Sequence, residues 1–457
     1  MVTESLAYAA AHKSTYLEQL INLCAIPSVS TQPDHKQDVA AAARWLENDL
    51  ERIGFRAQVI ETAGHPVVYA EWLHPDKTKP IVLIYGHYDV QPAEPFELWR
   101  TPPFTPTVVG GDLYGRGTCD NKGQHFAHIK ACESTLAATG SLPCSVKFII
   151  EGEEEIGGPN LPGLIQSHRE LLACDVVMIS DGALLDMHTP SIEYGLRGLM
   201  GLELTVRTAA QDLHSGIFGG NIANPIMVLA RLLAEMKNDR GVITIPHFYD
   251  DVRILELDER MALSRVPINE TTMMSQTGAP GVTGEPGFTV AERLGARPTF
   301  EINGMWGGYT GVGAKTVLPA EAHAKITCRL VPYMDPRKIY DLVVAHIKTL
   351  MPANCELSIT PYHGGARAAL IDRKAPQFRA AARAAAKTYG SEPLYILEGG
   401  SIPVVNDFQD VLDKPVILLG FGLPTDNLHA PNEHFAIACF EKGIEASIRF
   451  LDELTTV

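Results

Sequence analysis

The stretch PIVLIYGHYDVQP, residues 80–92, decides how this chain is read. Ile81 to Tyr85 form an uninterrupted apolar run between Pro80 and Gly86, the pattern of a strand buried on both faces. His87 and Asp89 follow at once. Alone the pair means little, because 16 histidines and 54 acidic residues in 457 positions give roughly two His-x-acid triplets by chance. Its weight depends on whether other buried strands end in the same way.

Upstream, Leu17, Leu20, Ile21 and Cys24 recur at helical spacing and stop before Pro27, and a second helix is expected over 36–53, closed by Gly54. Downstream, SVKFIIEGEEE and CDVVMISDG repeat the buried-strand pattern, with a helix expected after CDNKG. Such alternation implies a mostly parallel sheet with helices on both faces. Near residue 197 the style changes. In GLMGLELTVRT and AKITCRLV the apolar residues Leu202, Leu204, Val206 and Ala324, Ile326, Cys328 alternate with polar ones, as in strands with one wet face. Helices are expected over 224–236 and 335–350, the latter with Asp335 as N-cap and Pro336 at the first helical position. Residues 264–296, rich in Gly, Pro and Thr, read as long connecting loops. From APQFRAAARAAAKTYG the first style returns and runs to KPVILLGFG. The expected fold is therefore an α/β domain (1–196 and 371–457) interrupted by an inserted α+β domain (197–370).

Bulk properties narrow the function. The chain has 38 basic and 54 acidic residues, a formal charge of −16, and no basic stripe, which argues against nucleic acid or an anionic membrane as partner. Eight scattered cysteines without a C-x-x-C pair fit a reducing compartment. The first twenty residues lack a signal-peptide pattern and no run of 18 apolar residues occurs, so a cytoplasmic location is expected.

The strand ends do repeat the opening pattern. Strand 145–150 ends in Glu151 to Glu155, strand 176–180 in Asp181, and strand 415–420 leads to His429 in DNLHAPNEH; Asp120 stands just before a helix. In open α/β sheets the site lies beyond the carboxyl ends of the strands. Two histidines and several carboxylates without a thiolate cluster suit zinc, manganese or cobalt, and more than four candidate ligands suggest two ions sharing a carboxylate. Taken singly, Asp89 reads equally well as a helix cap and EGEEE as a solvated acidic turn. Gathering like charges at the end of a buried strand is nevertheless costly unless a cation neutralises them. GGDLYGRG lacks the G-x-G-x-x-G spacing of a dinucleotide loop.

The segments GHYDVQP, LYGRGTCDNKG, EGEEEIGG, DLHSGIFGGNIANP, GAKTVLP, CRLVP and EGGSIP, in this order, resemble the dinuclear-metal peptidase family of carnosine-type dipeptidases, glutamate carboxypeptidase, aminoacylase, acetylornithine deacetylase and succinyl-diaminopimelate desuccinylase. The likeness covers nearly the whole chain and is nearest to the dipeptidase branch at EGGSIP. It implies that His87, Asp120 and Asp181 hold one ion and Asp120, Glu155 and His429 the other. Two divalent ions are implied, zinc first, with manganese or cobalt as alternatives. Glu154 matches the general base and Asp89 the carboxylate that steadies His87. The Asp120–Asn121 peptide is expected to be cis. In the inserted domain, which the resemblance makes a lid and a dimerisation surface, His214 reaches the substrate carbonyl of a partner subunit and Arg329 binds the substrate carboxylate. Glu398, Gly400, Ser401 and Thr316 complete the implied substrate contacts.

Two positions depart from the family pattern, Cys119 where Ser or Ala is expected and Gly158 where Ser is frequent; neither removes a ligand. The reading is a homodimeric hydrolase of dipeptides or short peptides. An N-acyl amino acid deacylase would use the same metal site with no role for Glu398 as an amine anchor. A silent peptide-binding relative would lack Glu154 or a ligand, and none is missing.

Overall fold

The structure is a computed structural model, and it describes residues 1–362 and 365–457. The chain divides into two compact units, the first made of Met1–Tyr194, Ile371–Tyr395 and Val404–Val457, the second of Gly195–Leu370 and Ile396–Pro403. The short return of 396–403 to the second unit has no signal in composition.

At the centre of the first unit lie four parallel strands, in the order Ser145–Glu151, Ile81–His87, Val176–Ile179 and Val416–Leu418. These are the apolar runs of the sequence, and the first two are almost wholly buried. Parallel pairing aligns their carboxyl ends, so His87 is level with Glu151. The flanks are different. Val67–Trp72 pairs antiparallel with Ser145–Glu151, Arg56–Ile60 pairs antiparallel with it in turn, and Ser191–Leu196 lies antiparallel to Val416–Leu418. The sheet is thus mixed around a parallel centre, with helices on both sides. The buried helix Lys122–Thr139 packs on Ile81–His87, on the C-terminal helix Ile437–Glu453 and on the N-terminal helix Val2–Ala11. Gly86 makes the first of these contacts possible, since a Cβ there would meet His125 Cβ at 2.4 Å.

The second unit is built on an antiparallel sheet in the order Glu301–Gly307, Glu321–Leu330, Gly198–Arg207, Glu356–Pro361. Leu202, Leu204, Val206, Ala324, Ile326 and Cys328 all face its core. The helices Pro225–Ala234 and Pro336–Leu350 cover that face. Asp335 caps the second of these, accepting the Lys338 N–H at 2.8 Å. Residues 264–296 depart from the expected loops, for they contain the helices Glu270–Thr277 and Val290–Ala296. Both begin with a reciprocal capping box, Asn269 with Thr272 and Thr289 with Glu292, which supplies the orphan amides of helices too short to show apolar periodicity. All eight cysteines are free. Among the described residues no helix is long and apolar enough to cross a membrane.

The alternation in Gly198–Arg207 makes a direct test. Leu204 is fully buried and Glu203 is not. Leu204→Ala is expected to cost about 2–5 kcal/mol in denaturant unfolding, and Glu203→Ala no more than about 0.5 kcal/mol; similar losses at both positions would contradict the assignment of faces.

Candidate metal centre

His87 is the last residue of its strand and is wholly buried. Its Nδ1 is 3.1 Å from the Asp89 backbone carbonyl and 3.4 Å from Asp89 Oδ1. The Asp89 carboxylate is engaged elsewhere as well: its two oxygens accept the backbone N–H groups of Glu154 and Glu155, at 3.2 and 3.1 Å. Asp89 therefore does cap a turn, but one contributed by a different strand end, and this fixes the Glu154–Glu155 pair in place.

The acidic run is divided by environment rather than uniformly solvated. Glu151 accepts the Tyr85 hydroxyl at 2.6 Å, and Glu153 accepts the His65 N–H and the Asn160 amide. Glu155 Oε2 lies 3.2 Å from His429 Nε2 and accepts a hydrogen bond from Gln91 Nε2 at 2.8 Å. Asp120 is central. Its Oδ1 is 3.2 Å from His87 Nε2 and its Oδ2 is 2.9 Å from His429 Nε2. The Asp120–Asn121 peptide is cis, as the resemblance implies. Asp181 Oδ2 stands 3.8 Å from His87 Nε2.

Two three-residue groups result, His87–Asp120–Asp181 and Asp120–Glu155–His429, in each of which one donor atom per residue lies within 4.8 Å of the others. Their chemistry fits divalent cations. The donors are imidazoles and acceptor-only carboxylates, and His87 Nε2 is buried without a hydrogen bond of acceptable geometry although two carboxylates face it. Burial holds the Glu154 carboxyl up at about 9; His87 opposes this, and the carboxylates of Asp181, Glu155 and Asp120 reinforce it. Burial likewise raises Glu155. Asp120 is pulled down despite burial, by His429 and His87. Asp120 and then Glu155 raise His429 to about 10, although more than half of this side chain is exposed and solvent screening weakens the effect.

Reading the sequence missed Asn121. Fully buried, it donates from Nδ2 to the Ser180 carbonyl (2.6 Å) and to Asp181 Oδ1 (2.8 Å), while its Oδ1 faces the His87 N–H at 3.3 Å. One amide thereby holds two candidate ligands, His87 and Asp181, and the residue before the second. Gln91 was missed too. An amide beside a histidine or aspartate motif has no distinguishing spacing, so no local signal could have singled out either.

The remaining predicted residues belong to the second unit. His214 pairs with Val317 in the short ladder Leu213–His214/Val317–Leu318, beside Thr316, whose carbonyl accepts the Ser215 N–H at 3.1 Å. Nδ1 of the exposed His214 accepts the Gly216 N–H at 3.1 Å, which by inference leaves the ring proton on Nε2, ready to be donated. Arg329 Nη1 donates to Ser401 Oγ at 2.9 Å, and Ser401 donates to the Arg197 carbonyl at 2.5 Å. Glu398 Oε1 accepts the N–H groups of Gly399 and Gly400, and the Gly400 carbonyl accepts the Arg197 N–H. Arg329, Glu398, Gly400 and Ser401 are thus brought into one hydrogen-bonded cluster, apart from the His214–Thr316 ladder.

Comparison with known proteins shows the family. Residues 83–453 match peptidase family M20/M25/M40. The chain is 31% identical to a human Beta-Ala-His dipeptidase over 93% of its own length and 87% of the relative's. It is 30% identical to a Cys-Gly metallodipeptidase of Schizosaccharomyces pombe, over 97% and 96%. Among solved structures it superposes on an M20 family metallo-carboxypeptidase from Sulfolobus solfataricus with a TM-score of 0.84 at 33% identity, covering 97% of this chain and 99% of that one.

A pH dependence follows from the site's charges. Without metal, His429 and Glu154, raised to about 10 and about 9, are protonated at neutral pH. An arriving cation must displace those protons, so affinity for Mn²⁺ is expected to rise between about pH 6 and about pH 8, with proton release. Calorimetry in two buffers of different ionisation enthalpy measures both; an affinity independent of pH would contradict the assignment.

Proposed function

The chain belongs to peptidase family M20/M25/M40 and is a metallopeptidase, and from this premise we propose that it hydrolyses dipeptides or short peptides at two divalent ions. The observation that carries the proposal is the pair of three-donor groups sharing Asp120, with the half-buried Glu154 next to them and in neither. His87, Asp120 and Asp181 would hold one ion, and Asp120, Glu155 and His429 the other. Zinc suits this donor set, with manganese or cobalt as alternatives. Bound ions would supply Lewis-acid chemistry, acidifying a water and polarising the scissile carbonyl.

The chain's own residues do the rest. Glu154 takes the proton of the attacking water and delivers it to the leaving amine, for which a carboxyl raised by burial and lowered again by nearby cations is well matched. Asp89 sets the His87 ring through its backbone carbonyl and carboxylate, and holds the two glutamates through their amides. The chain acts as a homodimer through its second unit, His214 of one subunit donating from Nε2 to the carbonyl oxygen of a substrate held by the other. Arg329 binds the substrate's carboxylate, since its planar guanidinium is already oriented by Ser401. Glu398 anchors the free α-amino group, with Gly400, Ser401 and Thr316 as further contacts. The dipeptidase names of the human and yeast relatives support this choice of substrate.

An activity panel of free dipeptides, N-blocked dipeptides and N-acyl amino acids, with Zn²⁺, Mn²⁺ or Co²⁺ restored, tests the reading. Faster turnover of N-acyl amino acids than of any dipeptide would replace it with a deacylase.

Three mutational outcomes are expected. Glu154→Gln should keep both ions by elemental analysis while kcat falls about 10²–10⁴-fold, because an amide cannot accept the water's proton. Retention of about a tenth of wild-type kcat or more would remove Glu154 from the mechanism. N-acetylating a good dipeptide should lower wild-type kcat/KM about ten- to a hundredfold, the worth of one charge-assisted contact, and should matter much less in Glu398→Gln. Amidating the carboxyl end should behave likewise with Arg329→Ala; equal penalties in wild type and variant would refute the pairing.

A further inference from the structure

Glu433 is a fully buried carboxylate four residues beyond His429 and is claimed by none of the roles above. It stands at the start of a short ladder in which His434–Ala436 pairs antiparallel with Asp112–Tyr114. Its backbone carbonyl extends that ladder by accepting the Gly115 N–H at 3.0 Å. The chain after Tyr114 then wraps around its side chain. Oε2 accepts from Arg116 Nη1 at 2.6 Å and from the Gly117 N–H at 3.0 Å. Oε1 accepts the N–H groups of Cys119 at 3.2 Å and Asp120 at 3.1 Å. The wrap requires a positive φ at Gly117, +82°, where a Cβ would also strike Val90 at 2.4 Å.

This carboxylate is therefore saturated. Two oxygens offer about four acceptor sites, and a guanidinium and three backbone amides occupy them. Glu433 has no lone pair left for a cation, although it touches the backbone of the shared ligand. The contacts form a closed circuit: the Asp120 side chain meets His429, the chain runs from His429 to Glu433, and Glu433 returns to the Asp120 N–H. Backbone rotation at Asp120 would break the circuit and move the carboxylate common to both three-donor groups.

We propose that Glu433 is a positioning residue of the metal centre, locking the Asp120 loop to the His429 loop so that the second group is assembled before a cation arrives. The proposal rests on the two-ion reading above. Losing an outer contact that orients metal ligands typically costs about 10- to 100-fold in affinity.

The test is Mn²⁺ titration of metal-free full-length protein by calorimetry, with circular dichroism and thermal melts on the same samples. Glu433→Gln keeps shape but turns one oxygen into a donor facing donors, and is expected to bind Mn²⁺ about 10- to 100-fold more weakly while keeping the wild-type fold. Glu433→Asp, charged but too short to reach both pairs of donors, should be weakened as well. Arg116→Gln leaves the Cys119 and Asp120 amides bound, so it should lower the melting temperature yet shift Mn²⁺ affinity less than about threefold. Either Glu433 variant binding Mn²⁺ as tightly as wild type, or Arg116→Gln losing as much affinity as Glu433→Gln, would overturn the proposal. So would failure of both Glu433 variants to fold, which would make Glu433 a determinant of the fold alone. Wild-type protein that binds no Mn²⁺ would instead remove the two-ion reading itself.

Discussion

Mutual repulsion among carboxylates withdrawn from water governs this molecule. Asp89, Asp120, Glu154, Glu155 and Asp181 meet beyond the ends of buried strands, where like charges are costly unless something positive stands between them. Without metal, imidazoles stand between these carboxylates: Asp120 and then Glu155 raise His429, while burial first, and then the neighbouring carboxylates, raise Glu154 towards its neutral form. Divalent cations would satisfy the same requirement without protons and, in the proposed mechanism, would leave Glu154 free to move one. The fold serves this constraint. Parallel pairing of Ile81–His87 with its neighbours brings the strand ends level, and Asp89 ties the ends of two strands together through backbone amides.

How much of this was legible depended on whether the signal was local. His87, Asp120, Glu155, Asp181 and His429 each follow an apolar run or precede a helix, so their side chains could be assigned to one rim before any contact was known. The inward face of Gly198–Arg207 was equally plain, because alternation has only one physical reading in a half-buried strand. The supports were not legible. Asn121 works through its amide on residues 34 and 60 positions away, and nothing in its own neighbourhood announces this. The antiparallel strands Arg56–Ile60 and Val67–Trp72 pass as connecting chain in a sequence read for continuous apolar runs. In 264–296, abundant Gly, Pro and Thr concealed two helices whose starts were written in capping boxes rather than in periodicity.

In the proposed function, substrate recognition falls to other residues than the chemistry does. In the second unit Arg197 is the organiser: its backbone takes Gly400 and Ser401, and its guanidinium donates to the carbonyls of Arg293 and Arg297. Burial and then the neighbouring Arg329 lower its pKa to about 10, so two guanidinium groups sit close enough to repel. Such a pair suits an anionic end of a ligand, whose arrival relieves the repulsion. His214 differs, its Nδ1 accepting a backbone amide.

The central claim is that Asp120 is shared by two ions. Electron paramagnetic resonance of the protein loaded with Mn²⁺ to saturation measures this most directly, since ions bridged by one carboxylate are magnetically coupled. The account predicts a spin-coupled spectrum with two Mn²⁺ per chain, lost in Asp120→Asn; the spectrum of isolated Mn²⁺ at full loading would contradict it.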